Sequence, residues 1–360
     1  MAFQEDVIVD DVEDDSPEEV MPFEYPITSY GADFTIDGLV SRLRQGDIFV
    51  PSFQRAFVWD EETASKFVES LLVGLPVPGI FLSREEDTKR LIIVDGQQRL
   101  VSLRSFYDGK FADTEKTFAL TGLGKKSRFL GKTYASLQPK DRRRLDDAIL
   151  HATIIRQDKH SDDNSSVYQV FERLNMGGKH LQPQEIRVAM YHGAFNDLLQ
   201  DLNCNHTWRK LYGNVSNRMK DQELILRFLA MYFDRKNYQS PLKQFLNKYM
   251  GSNRNLTRQS EGEIRSVFEN TVETVHNHLG PDAFKPSKGR FTAAVFDSVA
   301  VGIADRLKRG DILNGKELKA AYDTLMKNED YRQTSIEGTA QTRTVNQRLT
   351  LAIKAFSDVP

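Results

Sequence analysis

The sequence predicts an α+β domain followed by an all-helical domain. Short strand-like and helix-like segments alternate from Phe23 to about Tyr191, and the pattern beyond Tyr191 is almost wholly helical. A chain of 360 residues with 39% hydrophobic content is long enough to build two separate cores. We therefore expect the first domain over residues 23–200 and the helical domain over residues 201–360.

Hydrophobic spacing and breaker residues locate the elements of the first domain. Asp60 is the expected N-cap of a helix with apolar residues at helical spacing, and Gly74 is expected to end it. The pattern predicts, in chain order, a short helix around 39–43, a strand over 48–50, the helix over 61–73, paired strands over 79–82 and 91–94, a helix over 99–107 and a strand over 151–156.

The net charge of −2 hides a strong asymmetry. Residues 1–41 contain twelve Asp and Glu and no Lys or Arg, so the remainder holds 49 basic against 39 acidic side chains, a net charge of +10. Residues 1–22 are predicted to be an acidic disordered tail. Such a tail either only solubilises the protein or covers the basic body as a mimic of a polyanion.

The chain has the features of a cytoplasmic protein. Cys204 is the single cysteine, so no internal disulfide forms, and no Cys/His spacing typical of a zinc site is present. The longest apolar stretch, 71–82, is interrupted by glycine and proline residues, and no signal region opens the sequence. We expect no membrane association.

The segment from Ile92 to Leu100 has the pattern of an anion site. A buried strand runs into an Asp95-Gly96 turn and then a helix start, where unpaired backbone N–H groups and the helix dipole favour phosphate. Gly96 permits close backbone approach, and Arg99 offers a planar fork for phosphate oxygens. Asp95 is a candidate ligand for Mg²⁺ or a group that orients water. An ordinary solvated turn is the alternative interpretation.

A second polar block, 51–59, lies just after a predicted strand. Gln54 and Arg55 are the chemical candidates, because an amide recognises a base and a guanidinium recognises phosphate. Phe57 and Trp59 are expected to pack in the core.

A third block, 171–179, ends a predicted helix in a double-glycine turn. Asn175 tolerates left-handed backbone, and Gly177 and Gly178 free the chain to present amides and Lys179 to an anion. The spacing is not that of a Walker A loop.

Together these three blocks resemble, in order, the motifs of the GmrSD-type restriction N-terminal domain family, within the ParB/sulfiredoxin-like superfamily. The resemblance implies a ParB/sulfiredoxin-like fold with a nucleoside triphosphate pocket. It implies catalytic roles near the phosphates and Mg²⁺ for Asp95, Gln97, Gln98 and Arg99, and nucleotide-binding roles for Gln54, Arg55, Gly96, Arg173, Asn175, Gly177, Gly178 and Lys179. Gln182 stands where a small hydroxyl residue commonly caps the next helix, so that helix start is expected to be held less firmly.

The first functional hypothesis is an NTP-binding and NTP-hydrolysing component of a restriction or phage-defence system, which regulates the engagement of DNA or of a separately encoded nuclease. The His-Asn-His nuclease module found in many GmrSD-type enzymes is not evident. His276 and His278 are two residues apart and lack the other residues that such a site needs, so we interpret them as helix-surface residues.

The second hypothesis is a DNA-binding module with a vestigial nucleotide pocket. Residues 205–260 hold eleven Lys and Arg against three Asp and Glu, and aromatic residues for base stacking lie among them: Trp208, Tyr212, Tyr238 and Tyr249. The candidate DNA contacts are Arg209, Lys210, Arg218 and Lys220. A solvated surface is the plain alternative, both here and for the basic segment 122–144, which is a further candidate for phosphate contacts. A ParB-like nuclease is the third hypothesis and ranks last.

Overall fold

A computed structural model describes residues 9–10, 27–49, 59–85, 88–111, 114–157, 165–174, 182–286, 290–336 and 338–360. The chain divides into two compact units, one formed by residues 24–181 and the other by residues 1–23 with 182–360. Residues 182–200, which the sequence pattern places in the first domain, belong to the second of these units.

The first strand in the chain, β1 (Val9–Asp10), belongs to the unit that contains the C-terminus. The elements of the 24–181 unit are β2 (Ile27–Thr35), α1 (Ile36–Gln45), β3 (Ile48–Phe49), α2 (Glu61–Val73), β4 (Ile80–Arg84), β5 (Leu91–Asp95), α3 (Gln97–Asp108), a 3₁₀ turn (Tyr134–Ser136), α4 (Pro139–Asp146), β6 (Ile149–Gln157) and α5 (Ser165–Leu174).

The strands of this unit form a five-stranded mixed sheet in the order β2-β6-β4-β5-β3. β2 with β6 and β4 with β5 are antiparallel, whereas β4 with β6 and β3 with β5 are parallel. Buried residues of α1, α2 and α3 pack with the inward residues of the sheet in one apolar core, for example Leu39, Val68, Leu82, Ile93 and Leu103. The predicted α+β class is confirmed.

Helix α2 shows how local sequence sets element boundaries. The Asp60 side chain accepts a hydrogen bond from Thr63 N at 2.8 Å, and this N-cap bonding to Thr63 holds the pKa of Asp60 below its ordinary value. At the other end Gly74 takes left-handed backbone with φ of 82°. Both boundaries lie where the sequence predicts them.

The long strand β2 is not among the predicted elements. Among its described side chains, Ala32 and Phe34 are the half-buried ones and alternate with exposed residues, so the apolar pattern is short. It nevertheless pairs with β6 over nine residues at the edge of the sheet. Tertiary pairing therefore supplies the order that its sequence does not signal.

The second unit is helical, as predicted, apart from the parallel pairing of β1 with β7 (Phe291–Thr292). Its helices are α6 (Pro183–Met190), α7 (Ala194–Asn203), α8 (His206–Tyr212), α9 (Lys220–Asp234), α10 (Leu242–Ser252), α11 (Glu261–Leu279), α12 (Ala293–Leu307), α13 (Gly315–Lys327), α14 (Glu329–Thr334) and α15 (Thr342–Ser357). Almost every residue of α12 is buried, and α12 packs against α9, α11 and α15. Of the predicted acidic tail, only β1 lies within the described residues.

The third residue of α6 caps the start of this helix. Glu185 is buried and its Oε2 accepts from Gln182 N at 2.5 Å. The weakly held helix start expected at Gln182 is therefore stabilised by a carboxylate in the first turn.

Candidate functional site

The junction of β5 and α3 gathers the Asp-Gly-Gln-Gln-Arg residues at one end of a central strand. Residues 91–94 are buried, Asp95 ends the strand half-buried, and α3 begins at Gln97. Gly96 is the N-cap residue and has no side chain to cap the helix. The first turn of α3, with the positive end of its dipole, therefore follows Asp95 directly.

Gly96 is required by the backbone and by packing. Its φ of 97° lies in the left-handed region, and a Cβ at this position would lie 2.4 Å from Cγ2 of Ile80 on β4. The sequence predicts that Gly96 lets a ligand approach the backbone closely. In the structure, the neighbouring strand β4 also approaches Gly96 closely. A side chain here would displace Ile80 from the core.

Arg99 is bound within the domain. Its NH2 donates to Asp95 Oδ2 at 2.7 Å, and its NH1 donates to the carbonyl oxygens of Pro78, at 2.9 Å, and Gly79. Only 15% of the side chain is exposed. The guanidinium therefore connects the segment before β4 to the carboxylate at the end of β5.

The sequence does not reveal this role of Pro78 and Gly79. The sequence signal is the glycine at the start of the predicted strand 79–82; in the structure, a Cβ at this position would lie 2.8 Å from the carbonyl oxygen of His151 on β6. A glycine at a strand start often marks such a close backbone approach.

Gln98 connects two of the three sequence blocks. Its Oε1 accepts a hydrogen bond from Trp59 N, the last residue of the 51–59 block, at 3.2 Å. The Trp59 ring packs edge-to-face on Phe67 with centroids 5.7 Å apart, against the core, as the sequence predicts for this aromatic. Gln97 is half-buried beside it in the first turn.

The third block begins on α5, which packs against β5 and β6. Arg173, near the end of α5, is exposed. The remaining predicted nucleotide-binding residues lie outside the described residues: Gln54, Arg55, Asn175, Gly177, Gly178 and Lys179. Their roles stay predictions.

Among the described residues of this site, Asp95 is the carboxylate suited to a metal ion. Asp95 is 39% exposed and one of its oxygens accepts from Arg99. Within the described residues, no three His, Cys, Asp or Glu side chains cluster closely enough to hold a metal ion by themselves. Asp95 thus fits a hydrated Mg²⁺ that takes its other ligands from phosphates and water, the usual arrangement for this ion.

The candidate DNA-binding residues of the helical unit differ in their contacts and exposure. Arg209 donates to the buried Asp221 at 2.9 Å and to Asn203 at 2.7 Å, and Arg218 donates to the buried Glu185 at 2.8 Å. Lys210 is exposed and Lys220 is half-buried. Both arginines thus have structural partners.

The prediction that aromatic residues of the 205–260 segment stack on bases is wrong. All four rings are buried, with at most 3% of any residue exposed: Trp208, Tyr212, Tyr238 and Tyr249. They pack in the core of the helical unit, where Trp208 contacts Phe268 and Phe296.

His276 and His278 lie half-buried in the last turn of α11.

Across the ranges that the structure describes, no helix is both long enough and apolar enough to cross a bilayer.

Comparison with known proteins bears mainly on the 24–181 unit. Residues 36–192 match the family model of the GmrSD restriction endonuclease, N-terminal domain. These residues resemble that domain and are called the GmrSD-type domain from here on. The resemblance inferred from the three blocks is confirmed, and Asp95 through Arg99 lie inside the matched range of the GmrSD-type domain.

Among solved structures, the chain is similar to the C2221 form of a Pnob8-like ParB-N domain. The identity is 12%, the alignment covers 92% of this chain and 99% of that chain, and the TM-score is 0.23. A TM-score of this size is too low to argue a shared fold, so the α+β assignment rests on the sheet and helices of the GmrSD-type domain itself. No curated protein matches the chain.

Proposed function

We propose that the GmrSD-type domain binds and hydrolyses a nucleoside triphosphate at the β5–α3 junction. The protein is then the nucleotide-dependent component of a restriction or defence system, and nucleotide turnover regulates the engagement of DNA or of a partner nuclease. One observation carries the proposal: the hydrogen bond from Trp59 N to Gln98 joins the 51–59 block to the Asp-Gly-Gln-Gln-Arg turn. The described end of the 51–59 block therefore lies beside this turn.

The first turn of α3 is the proposed phosphate-binding element. Its amides follow the left-handed Gly96, and the helix dipole favours negative charge at this end. Gln97 and Gln98 are half-buried in the same turn and offer amide groups to phosphate oxygens or to the attacking water.

Asp95 is the proposed ligand of Mg²⁺. When bound, the ion neutralises charge on the phosphates. Arg99 acts as a positioning residue in this proposal, since its guanidinium already holds Asp95 and the 78–79 carbonyls. It keeps the carboxylate turned toward the helix start and adds positive charge beside the phosphates.

The test measures phosphate release and equilibrium binding with ATP, GTP, CTP and UTP in the presence of Mg²⁺. Asp95→Asn should lower turnover by about 10²–10³-fold, as the loss of a preorganised charged group does elsewhere, while the Mg²⁺-independent part of binding remains. Arg99→Ala should weaken turnover and binding together, because it frees Asp95 and the 78–79 segment.

Arg44→Ala is the matched control. Arg44 of α1 lies 2.5 Å from Asp108 at the opposite end of α3, so this variant removes another arginine–aspartate pair that involves α3. It should leave both measurements unchanged. Absence of binding to all four nucleotides, or an equal loss in Arg44→Ala, would overturn the proposal.

A further inference from the structure

Residues 120–132 form a closed loop on the GmrSD-type domain, here named the basic loop. Leu120 N donates to Lys132 O at 2.9 Å and Gly131 N donates to Leu120 O at 2.7 Å, so the two ends of the loop pair. Leu123 and Phe129 are buried in the core of the domain. The loop is thus held at its ends and from beneath.

An ion pair joins the basic loop to α4. Arg128 NH2 lies 2.7 Å from Asp141 Oδ1, and Asp141 is only 6% exposed. A nearly buried carboxylate fixes the position of its partner better than a solvated one. The basic loop and α4 therefore form one surface, named the basic face.

The basic face carries five exposed cations whose side chains make no hydrogen bond or ion pair with the residues that the structure describes: Lys125, Lys126, Lys132, Lys140 and Arg143.

Three other lysines of the same domain are neutralised, whereas Lys89 in the β4–β5 turn is exposed without an ion pair to the described residues. Lys66 pairs with Glu62 at 2.6 Å, Lys110 with Glu115 at 2.5 Å, and Lys116 with Glu61 at 2.6 Å. Open cations are therefore not a property of every lysine on this domain, and the basic face holds five of them.

The acidic side chains packed against or within the basic face accept hydrogen bonds, and Asp147, which follows α4, is exposed. Glu69 accepts from Ser127 Oγ, and Asp146 accepts from the hydroxyl groups of Tyr107, at 2.6 Å, and Tyr134, at 3.0 Å. Asp141 is bound to Arg128 as described. A clear excess of positive charge remains exposed, which is the electrostatic complement of a polyanion.

We infer that the basic face binds the phosphate backbone of duplex DNA without reading its sequence. The five cations lie on an ordered surface and are free to replace condensed counterions, the interaction that supplies sequence-independent affinity. This binding uses none of the residues of the proposed nucleotide site. It is thus a second function of the domain.

The aromatic residues in and next to the basic face favour a duplex over a single strand. Single-stranded nucleic acids are held by rings on which bases stack. Phe129 is 3% exposed, and Tyr134 is stacked on Tyr107 with centroids 4.1 Å apart and has Arg142 over its ring. Neither ring is open for a base, so the contacts available are those to phosphates.

The test compares two triple variants that change the net charge equally. The first is Lys125→Ala/Lys126→Ala/Arg143→Ala, which removes open cations, and the second is Lys66→Ala/Lys110→Ala/Lys116→Ala, which removes paired ones. All six side chains are exposed, and thermal unfolding checks that both variants fold. Fluorescence anisotropy measures the affinity for a labelled duplex of mixed sequence in the absence of nucleotide.

Salt dependence gives the sharpest readout. With five phosphate contacts, raising salt from about 50 to about 200 mM should weaken binding by about 500-fold in the parent protein and in the paired-lysine control. With two contacts left, the same step should weaken the open-cation variant by only about 12-fold. Its affinity at low salt should fall as well.

Three outcomes would overturn the inference: no binding to the duplex, an equal loss in both triple variants, or tighter binding to single-stranded DNA or RNA than to the duplex. Asp95→Asn separates this inference from the proposed nucleotide function, because it should leave duplex affinity without nucleotide unchanged.

Discussion

Two basic segments of this chain look alike in sequence and differ in structure. Residues 122–144 hold eight Lys and Arg with one acid, and residues 205–260 hold eleven with three. In the first segment five cations are exposed and unpaired within the described residues. In the second, three lysines are also exposed, but five arginines form ion pairs, several with buried carboxylates: Arg209, Arg218, Arg227, Arg235 and Arg258.

The difference comes from partners that are distant in sequence. Arg218 pairs with Glu185, and Arg227 pairs with Asp297, 70 residues away. An excess of basic residues in a segment therefore does not identify a binding surface, because tertiary packing decides which charges remain available to a ligand. The comparison leads to four predictions.

The largest effect is expected from Asp297→Ala in the helical unit. Asp297 and Arg227 are each 2% exposed and 2.5 Å apart, and burial lowers the pKa of the nearby Arg348 while Asp297 opposes that shift. Removing the carboxylate leaves buried positive charge, so the free energy of unfolding should fall by about 3–5 kcal/mol. Urea unfolding followed by circular dichroism measures it.

The apolar double variant Arg227→Met/Asp297→Leu is the control for that experiment, and it should recover most of the lost stability. If Asp297→Ala unfolds at the urea concentration of the parent protein, the arginines of the helical segment are not structural and the comparison fails.

Tyr134→Phe tests the polar contacts beneath the basic face. Burial, with the hydrogen bond to Asp146, raises the pKa of Tyr134 to about 12 from its ordinary 10.0. The neutral hydroxyl therefore stabilises the fold fully below pH 10, and this contribution is lost as the pH rises from 10 toward 12.

The variant should lower the free energy of unfolding by about 1 kcal/mol at neutral pH and reduce the loss of stability in alkali. Thermal unfolding across this pH range measures both effects. Tyr30→Phe is the matched control, since Tyr30 is exposed. The same alkaline profile in Tyr134→Phe and the parent would contradict the assignment.

Asp141→Asn should strengthen the salt dependence of DNA binding. It releases Arg128 as a sixth open cation, so the loss of affinity between about 50 and about 200 mM salt should grow by about 3.5-fold. Asp108→Asn releases Arg44 elsewhere on the domain and should change nothing. An equal increase in both variants would mean that net charge, and not the basic face, controls binding.

The smallest effect is expected from the exposed lysines of the helical segment. Lys210→Ala/Lys236→Ala/Lys248→Ala should leave duplex affinity and its salt dependence unmeasurably different from the parent, although it removes three positive charges. A loss of duplex affinity as large as that of the open-cation variant would show that the helical unit, and not the basic face, carries the DNA-binding surface.

The sequence by itself determined the α+β class, the helical C-terminal part, the ends of α2 and the GmrSD-type resemblance. These features depend on local information: apolar periodicity, Asp60 as a cap, glycines with left-handed backbone, and three motifs in fixed order. The candidate site at the Asp95–Arg99 turn was located by the same means.

Only the tertiary structure decided which polar groups are available. It joined Gln98 to Trp59, bound Arg99 to Asp95 and the 78–79 carbonyls, and ordered β2 through pairing with β6. It also buried the rings expected to stack on bases and left the cations of the basic face open. The physical reason is that hydrogen bonds, ion pairs and burial join residues far apart in the chain, which local spacing does not encode.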